Sequence, residues 1–379
     1  MKIEADWLEA PATQRVFGVL SAAGHRALLV GGCVRNALIG APVSDIDIAT
    51  DAPPRRVMEL ARAAGLRVVP TGLDHGTVTI VSDGIAHEVT TFRRDVETDG
   101  RHATVAFCAD VAEDAARRDF TMNALYAEAD GAVVDPLGGL PDLRARRVRF
   151  IGDPAARIAE DYLRILRFFR FTAWYGDPAR GIDAEGLAAC AALADGLSRV
   201  SAERTGAEML KLLAAPDPAP AVAAMARAGI LSRVLPGADA TALPVLVHLA
   251  PEADRIARLA LLGGDASGLR LSNADARDLA TLAAAARDTT APFALGDALG
   301  PRALDALAVR AALSGAPLGP AALAEARAGA EAQFPLRAAD LMPDLQGPAL
   351  GRALAQAREI WRARKGDIST SDLLAAAKR

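Results

Sequence analysis

Residues 29–49 read Leu-Val-Gly-Gly-Cys-Val-Arg-Asn-Ala-Leu-Ile-Gly-Ala-Pro-Val-Ser-Asp-Ile-Asp-Ile-Ala, and this stretch constrains the fold more than any other. An apolar strand, Ala27 to Val30, runs into Gly31-Gly32, and a short helical turn carrying Arg35 follows. Asp45 and Asp47 then fall on a second strand, Asp45 to Ala49, flanked by Ile46 and Ile48. Side chains alternate faces along a strand, so both carboxylates point the same way. Two like charges side by side oppose each other's ionisation unless a cation sits between them. Carboxylate oxygens suit Mg²⁺, which takes one or two of them together with substrate phosphates. The glycine pair lets the backbone approach phosphate oxygens closely, with helix N–H groups and Arg35 nearby. A phosphate cradle and a metal-binding carboxylate pair this close in sequence predict nucleoside triphosphate chemistry.

The rest of the chain is compatible with that reading. Its 379 residues suffice for two or three domains. Aromatic residues are 4% of the chain while alanine is abundant, which favours a core of closely packed Ala, Leu and Val helices. No apolar run approaches the ~20 residues that span a membrane, so none is expected to cross one. The N-terminus, Met-Lys-Ile-Glu-Ala-Asp-Trp, has no apolar core of a signal peptide. Cys33, Cys108 and Cys190 are scattered, which predicts neither a metal knuckle nor a disulfide framework and places the chain in a reducing cytoplasm. The formal net charge of −4 argues against non-specific coating of nucleic acid, though not against a local basic surface.

Along the chain, residues 1–150 mix helix and strand. Thr13 to Gly24 reads as a helix feeding the first strand, and Pro53 to Ala64 as an amphipathic helix. Short strands are predicted at Arg67–Pro70, Thr77–Val81, His87–Phe92 and Val133–Asp135. From about residue 153 the pattern is helical: Ile158 to Tyr175, Ala184–Ala194 and Ala202–Ala214. The Pro-rich stretch Ala215 to Pro220 marks a boundary before an Ala/Leu-rich helical tail. The expected fold class is α+β, a small mixed sheet domain followed by an all-α remainder.

Two further segments carry chemistry. In Arg117-Arg118-Asp119-Phe120-Thr121, Arg118 can reach a phosphate and Asp119 a ribose hydroxyl. In Glu160-Asp161-Tyr162-Leu163-Arg164-Ile165-Leu166-Arg167-Phe168-Phe169-Arg170, the charges at 161, 164, 167 and 170 recur every three residues along one drifting helix face. An Asp and an Arg one turn apart offer the acceptor and donor groups that imitate the pairing edge of a base.

The Gly-Gly and Asp-x-Asp pairs resemble the nucleotidyltransferase superfamily signature. With the two later segments and Ser201-x-Glu203-Arg204 with Glu208, in that order, the chain resembles the class II tRNA nucleotidyltransferases and bacterial poly(A) polymerases over about residues 25–215. The resemblance implies a catalytic head (1–150), a helical neck that reads the base (151–215), and a helical body and tail that bind tRNA (216–379). It implies untemplated addition of C, C and A to tRNA 3′ ends from CTP and ATP, with pyrophosphate release by two-metal nucleotidyl transfer. It assigns Asp45 and Asp47 to Mg²⁺, Gly31, Gly32, Arg35, Arg118 and Asp119 to the nucleotide, and Asp161 and Arg164 to the base, supported by Arg167 and Arg170. Glu88 is a candidate third carboxylate on a neighbouring strand, and Asp95 to Arg101 matches the family's flexible loop. Asn36 departs from the pattern, where an Asp often follows the motif arginine.

Within the family, Thr71-Gly72-Leu73-Asp74-His75-Gly76-Thr77-Val78 resembles the CCA-adding branch, and no Gly-Arg-Arg-Phe run of the poly(A) branch follows. Poly(A) synthesis and addition of C or A alone remain open. The one histidine beyond residue 102 is His248, so the phosphohydrolase domain of some relatives is not expected. From other classes, a catalytically inactive RNA-binding protein and a transferase acting on a small molecule are the alternatives. Arg144, Arg146, Arg147 and Arg149, and Arg358, Arg362, Arg364 and Lys365, are candidate basic clusters for tRNA.

Overall fold

Short apolar runs separated by turn glycines in the first 135 residues assemble into a seven-stranded mixed sheet in the order β3-β4-β5-β2-β1-β8-β9. The computed structural model describes residues 1–98, 103–342 and 344–378. The strands are β1 (Ala27–Val30), β2 (Ile46–Thr50), β3 (Arg67–Gly72), β4 (Thr77–Ser82), β5 (Ile85–Thr91), β8 (Tyr126–Ala127) and β9 (Val133–Val134). A separate ribbon pairs β6 (Arg93–Thr98) with β7 (Ala103–Phe107). The β2–β5 pair is parallel and sets Asp47 beside Glu88, whereas every other described pair is antiparallel.

The strands at 67, 77, 87 and 133 lie where their alternation predicts. Two readings are corrected. The second strand begins at Ile46, so Asp45 precedes it by one residue. Part of the expected flexible loop is strand, since β6 runs through Asp95 to Thr98; residues 99–101 lie outside the described residues.

Helices α1 (Asp6–Glu9), α2 (Pro11–Ala22), α3 (Gly32–Leu38), α4 (Pro54–Ala63) and α5 (Val111–Ala116) accompany the sheet. Helices α2 and α4 pack together and on β4 and β5. Leu28, Val30 and Ala49 join Phe92, Val111, Ala115 and Tyr126 in a buried cluster. Helix α6 (Leu140–Arg144) follows β9.

The predicted continuous helix from Ile158 to Tyr175 is in fact two, α7 (Pro154–Glu160) and α8 (Leu163–Tyr175). Asp161 is extended (φ −154°, ψ 104°) and its carboxylate accepts from Leu163 N at 3.1 Å. Its carbonyl accepts from Arg164 N at 2.9 Å, so the aspartate starts a new helix. Helix α8 is fixed to the sheet domain by aromatics. Phe120 and Phe150 lie 4.9 Å apart between centroids, and Phe168 and Phe171 lie 5.4 and 5.1 Å from Phe150 and Phe120. With Phe169 against Phe168, this cluster takes five of the ten phenylalanines of the chain, so α8 and the sheet domain share one core.

Two compact units result. One comprises residues 1–201 and 228–233, and ends with α9 (Ala184–Ala192) and a 3₁₀ segment, Ala194–Arg199. The other comprises 202–227 and 234–379; its described residues form helices joined by turns and 3₁₀ segments, beginning with α10 (Ala202–Leu213). Within it, buried Arg258 donates to the carbonyls of Leu213, Ala215 and Pro251 at 2.7, 2.5 and 2.9 Å. No described helix is long and apolar enough to cross a membrane.

Candidate active site

The site is built where β1, β2 and β5 lie side by side. Val30 leads into Gly31, whose backbone (φ 70°, ψ −117°) is one an L side chain rarely adopts, and the turn enters α3 at Gly32. Asp47 is half-buried on β2 and Asp45 is exposed just before it. Register places Glu88 of β5 next to Asp47 on the same face. Asp45 accepts from Ser44 Oγ at 2.8 Å. Among the described residues no arginine, lysine or histidine lies within ion-pair distance of these three carboxylates.

This arrangement leaves uncompensated negative charge. Burial pushes the Asp47 carboxyl up to about 6; Glu88 and Asp45 add to the rise and Arg118 opposes it. A divalent cation would relieve that repulsion. Among the described residues no three His, Cys, Asp or Glu side chains group to hold a metal by themselves. A carboxylate pair that shares its cation with substrate phosphates fits that observation.

Arginines surround the glycine turn. A Cβ built on Gly31 would stand 3.5 Å from Arg118 Nη1, and one on Gly32 3.8 Å from Arg35 Nη2. Arg118 is held from behind by Asp114 and Tyr126. Its Nη2 donates to Asp114 Oδ2 at 3.0 Å and its Nε to the Tyr126 hydroxyl at 3.1 Å. The hydroxyl donates to Asp114 Oδ2 at 2.7 Å, and Arg117 Nε to Asp114 Oδ1 at 3.1 Å. Burial would raise the Asp114 carboxyl, but Arg118 and Arg117 hold it at about 2. Sequence reading passed over Asp114 and Tyr126. The available signal was an aspartate one helical turn before the arginine pair.

Asp119 is buried beside this turn. It accepts from Phe120 N at 2.8 Å, Asn123 Nδ2 at 2.9 Å and Arg167 Nε at 2.8 Å, and from Arg167 Nη2. Burial raises its carboxyl, but the Arg167 charge together with the hydrogen bonds from Asn123, Arg167 and Phe120 brings it below its ordinary value. These donors fill its four lone-pair positions, so a ribose hydroxyl is accepted only if one of them is released.

Asp161 lies in the break before α8, off the helix face expected for it. Arg164 Nη1 contacts Glu160 and donates to the Arg157 carbonyl at 2.8 Å, while Nη2 donates to the Arg117 carbonyl at 3.0 Å. With five N–H groups on a guanidinium, these bonds use two on Nη1 and one on Nη2 and leave the Nε N–H and one Nη2 N–H. Arg170 stacks 4.4 Å from the Phe171 ring. Of the candidate basic clusters, Asp142 engages Arg147 and Arg149, and Asp297 engages Arg358 and Arg362, so each aspartate offsets one positive charge of its cluster.

Residues 27–149 match the family described as Poly A polymerase head domain, and residues 181–241 the family described as probable RNA and SrmB-binding site of polymerase A. Human CCA tRNA nucleotidyltransferase 1, mitochondrial, is 44% identical over 190 residues, which are 50% of this chain and 44% of that protein. The CCA-adding enzyme of Geobacillus thermodenitrificans is 40% identical over 232 residues, 60% of this chain and 55% of the relative. The chain thus spans about half the length of the curated relatives it matches. The crystal structure of the Bacillus stearothermophilus CCA-adding enzyme in complex with CTP is similar with a TM-score of 0.71 at 30% identity, covering 93% of each chain.

Proposed function

The chain belongs to the nucleotidyltransferase family of class II CCA-adding enzymes and poly(A) polymerases, and on that premise we propose that it adds C, C and A to tRNA 3′ ends from CTP and ATP with release of pyrophosphate. The observation that carries this reading is the juxtaposition of Asp47 and Glu88 with a glycine turn flanked by Arg35 and Arg118. The curated CCA-adding relatives favour this branch over poly(A) synthesis. Head (1–150), neck (151–215) and body with tail (216–379) are the proposed divisions, with RNA held by the last. The free cysteines suit the reducing cytoplasm.

Asp45 and Asp47, with Glu88 beside them, are the proposed holders of Mg²⁺. Once bound there, the cation would offset phosphate charge and favour loss of the proton from the attacking 3′-hydroxyl. The other roles belong to side chains and backbone. Gly31 and Gly32 admit the triphosphate close to the main chain. Arg118, oriented by Asp114 and Tyr126, faces that turn with its charge intact. The remaining donors of Arg164 suit the acceptors on the pairing edge of cytosine or adenine, with Asp161 placed one turn ahead as acceptor. Arg167 and Arg170 support this face, Arg167 through Asp119.

The test is incubation of purified protein with Mg²⁺, CTP, ATP and a tRNA transcript that ends before CCA. Sequencing of the product is expected to find C, C and A added and then termination. A long A tail would assign the chain to the poly(A) branch, and addition of C or A alone would make it a partial enzyme. No incorporation into tRNA, with nucleotidyl transfer to an aminoglycoside or with none at all, would reject the tRNA reading.

A further inference from the structure

Arg35 is a buried cation without a carboxylate partner. It is 6% exposed, and among the described residues no Asp or Glu lies within ion-pair distance of it. Its hydrogen bonds go to neutral acceptors. Nε and Nη2 donate to Asn36 Oδ1 at 3.1 and 2.9 Å, and Nη1 to Asn123 Oδ1 at 2.5 Å. Nη2 also donates to the Tyr175 hydroxyl at 2.7 Å. The Tyr175 ring centroid lies 4.0 Å from the guanidinium carbon and that of Phe171 5.2 Å. Four of the five guanidinium N–H groups are therefore engaged and one Nη1 N–H is left.

Burying a cation with only dipoles and aromatic faces around it is costly, and such groups soften the cost without cancelling the charge. A positive charge with no direct carboxylate partner thus stands beside the Gly31–Gly32 turn, where a Cβ on Gly32 would come within 3.8 Å of Arg35 Nη2; Asp119 favours that charge through space and Arg170 opposes it. Tyr175 does two things to that charge. Its hydroxyl fixes the rotation of the guanidinium plane, and its ring covers one face, so the charge is aimed rather than diffuse. Asn36, which accepts from Arg35, is itself anchored by its amide, which donates to the Pro42 carbonyl at 2.7 Å. Tyr175 is the last residue of α8, the helix whose first turn carries Arg164.

We propose that Tyr175 is a positioning residue that holds Arg35 for the polyphosphate of the bound nucleotide. The proposal rests on the nucleotidyl-transfer reading above. The ligand class is a linear polyphosphate, free or carried by a nucleoside, and recognition of the base is not part of it.

The experiment compares the full chain with Tyr175→Phe, which keeps the ring, and Tyr175→Leu, which removes both ring and hydroxyl. Titration calorimetry with inorganic tripolyphosphate is expected to find affinity about tenfold weaker in Tyr175→Phe, as for one lost hydrogen bond to a charged group, and weaker again in Tyr175→Leu. In steady state the KM for CTP and for ATP should rise in parallel, while kcat stays within about twofold. Preference for CTP over UTP should be unchanged. Tripolyphosphate affinity equal to wild type in Tyr175→Leu overturns the proposal. So does a loss of kcat, selectivity and thermal stability together that Tyr175→Phe does not restore, because that pattern marks a purely structural side chain. A wild-type protein that binds tripolyphosphate but transfers no nucleotide refutes the transferase reading alone, and the calorimetric series then decides the role of Tyr175. A wild-type protein with no tripolyphosphate affinity overturns the proposal.

Discussion

Replacing Asp114 by Asn isolates the charge that anchors Arg118 beside the glycine turn. The substitution keeps volume and planarity and removes one negative charge from a side chain that is 1% exposed. The carboxyl is held at about 2, well below the ordinary carboxylate range, which corresponds to roughly 2–3 kcal/mol of favourable interaction in the charged form. Loss of one member of a buried pair costs a similar or larger amount, about 3–5 kcal/mol, when the partner is stranded. Arg117 and Arg118 are 17% and 20% exposed and so recover some hydration, which puts the expectation nearer the lower figure. Because the folded carboxyl lies below its unfolded value, its stabilisation is complete above about pH 4 and is lost as pH falls towards 2. Urea unfolding followed by circular dichroism should therefore find Asp114→Asn about 2–3 kcal/mol less stable than wild type at pH 7, with the difference narrowing below pH 4. The KM for CTP should rise at the same time, since Arg118 loses its orienting acceptor. Equal stability at pH 7, or a difference that does not change between pH 7 and pH 3, would refute the electrostatic argument.

Three other expectations follow from the same geometry. Asp47→Asn should abolish nucleotide incorporation yet raise the melting temperature of the metal-free protein at pH 7, because a carboxyl pushed up to about 6 is ionised there at a cost to the fold; a lowered melting temperature would count against uncompensated charge at this position. Gly31→Ala should destabilise by about 1–3 kcal/mol, since its φ of 70° with ψ of −117° suits glycine alone; thermal unfolding within error of wild type would contradict this. Arg164→Ala should reduce discrimination of CTP and ATP from UTP and GTP far more than it changes the Mg²⁺ dependence, as measured by competitive incorporation, and unchanged discrimination would move base reading to another residue.

The parts of the site that local pattern dictates were legible in the sequence. Apolar alternation and the glycine pair located β1, the turn and β2, and with them Asp45, Asp47 and Arg35. Tertiary partners were not. Nothing in the alternation of residues 45–49 says that β2 pairs in parallel with β5, so Glu88 could be named only as a candidate neighbour until the register set it beside Asp47. The break at Asp161 was hidden because apolar residues recur at helical spacing on both sides of it; the aspartate's affinity for backbone N–H decided the matter. Asp114 and Tyr126 look like ordinary helix and strand residues until folding buries them behind Arg118. The arginine clusters at 144–149 and 358–365 invited an RNA-facing reading because the aspartates that engage four of them, Asp142 and Asp297, are fixed by packing.

The parallel pairing of β2 with β5 also orders events in time. The neighbouring antiparallel pairs β3–β4 and β4–β5 close through short turns, whereas β2 meets β5 only after residues 51–84 have been folded out between them. Long-range closure of this kind is paid in chain entropy before any contact rewards it, and such contacts slow folding more than local hairpins do. Asp47 and Glu88 are therefore expected to meet later than the residues of the neighbouring hairpins. A molecule with its hairpins and helices already formed still lacks the Asp47–Glu88 pair until β2 and β5 close. Assembly of the three carboxylates thus depends on a contact between residues 41 positions apart, and a chain that has formed only its local hairpins has Asp47 without Glu88 beside it.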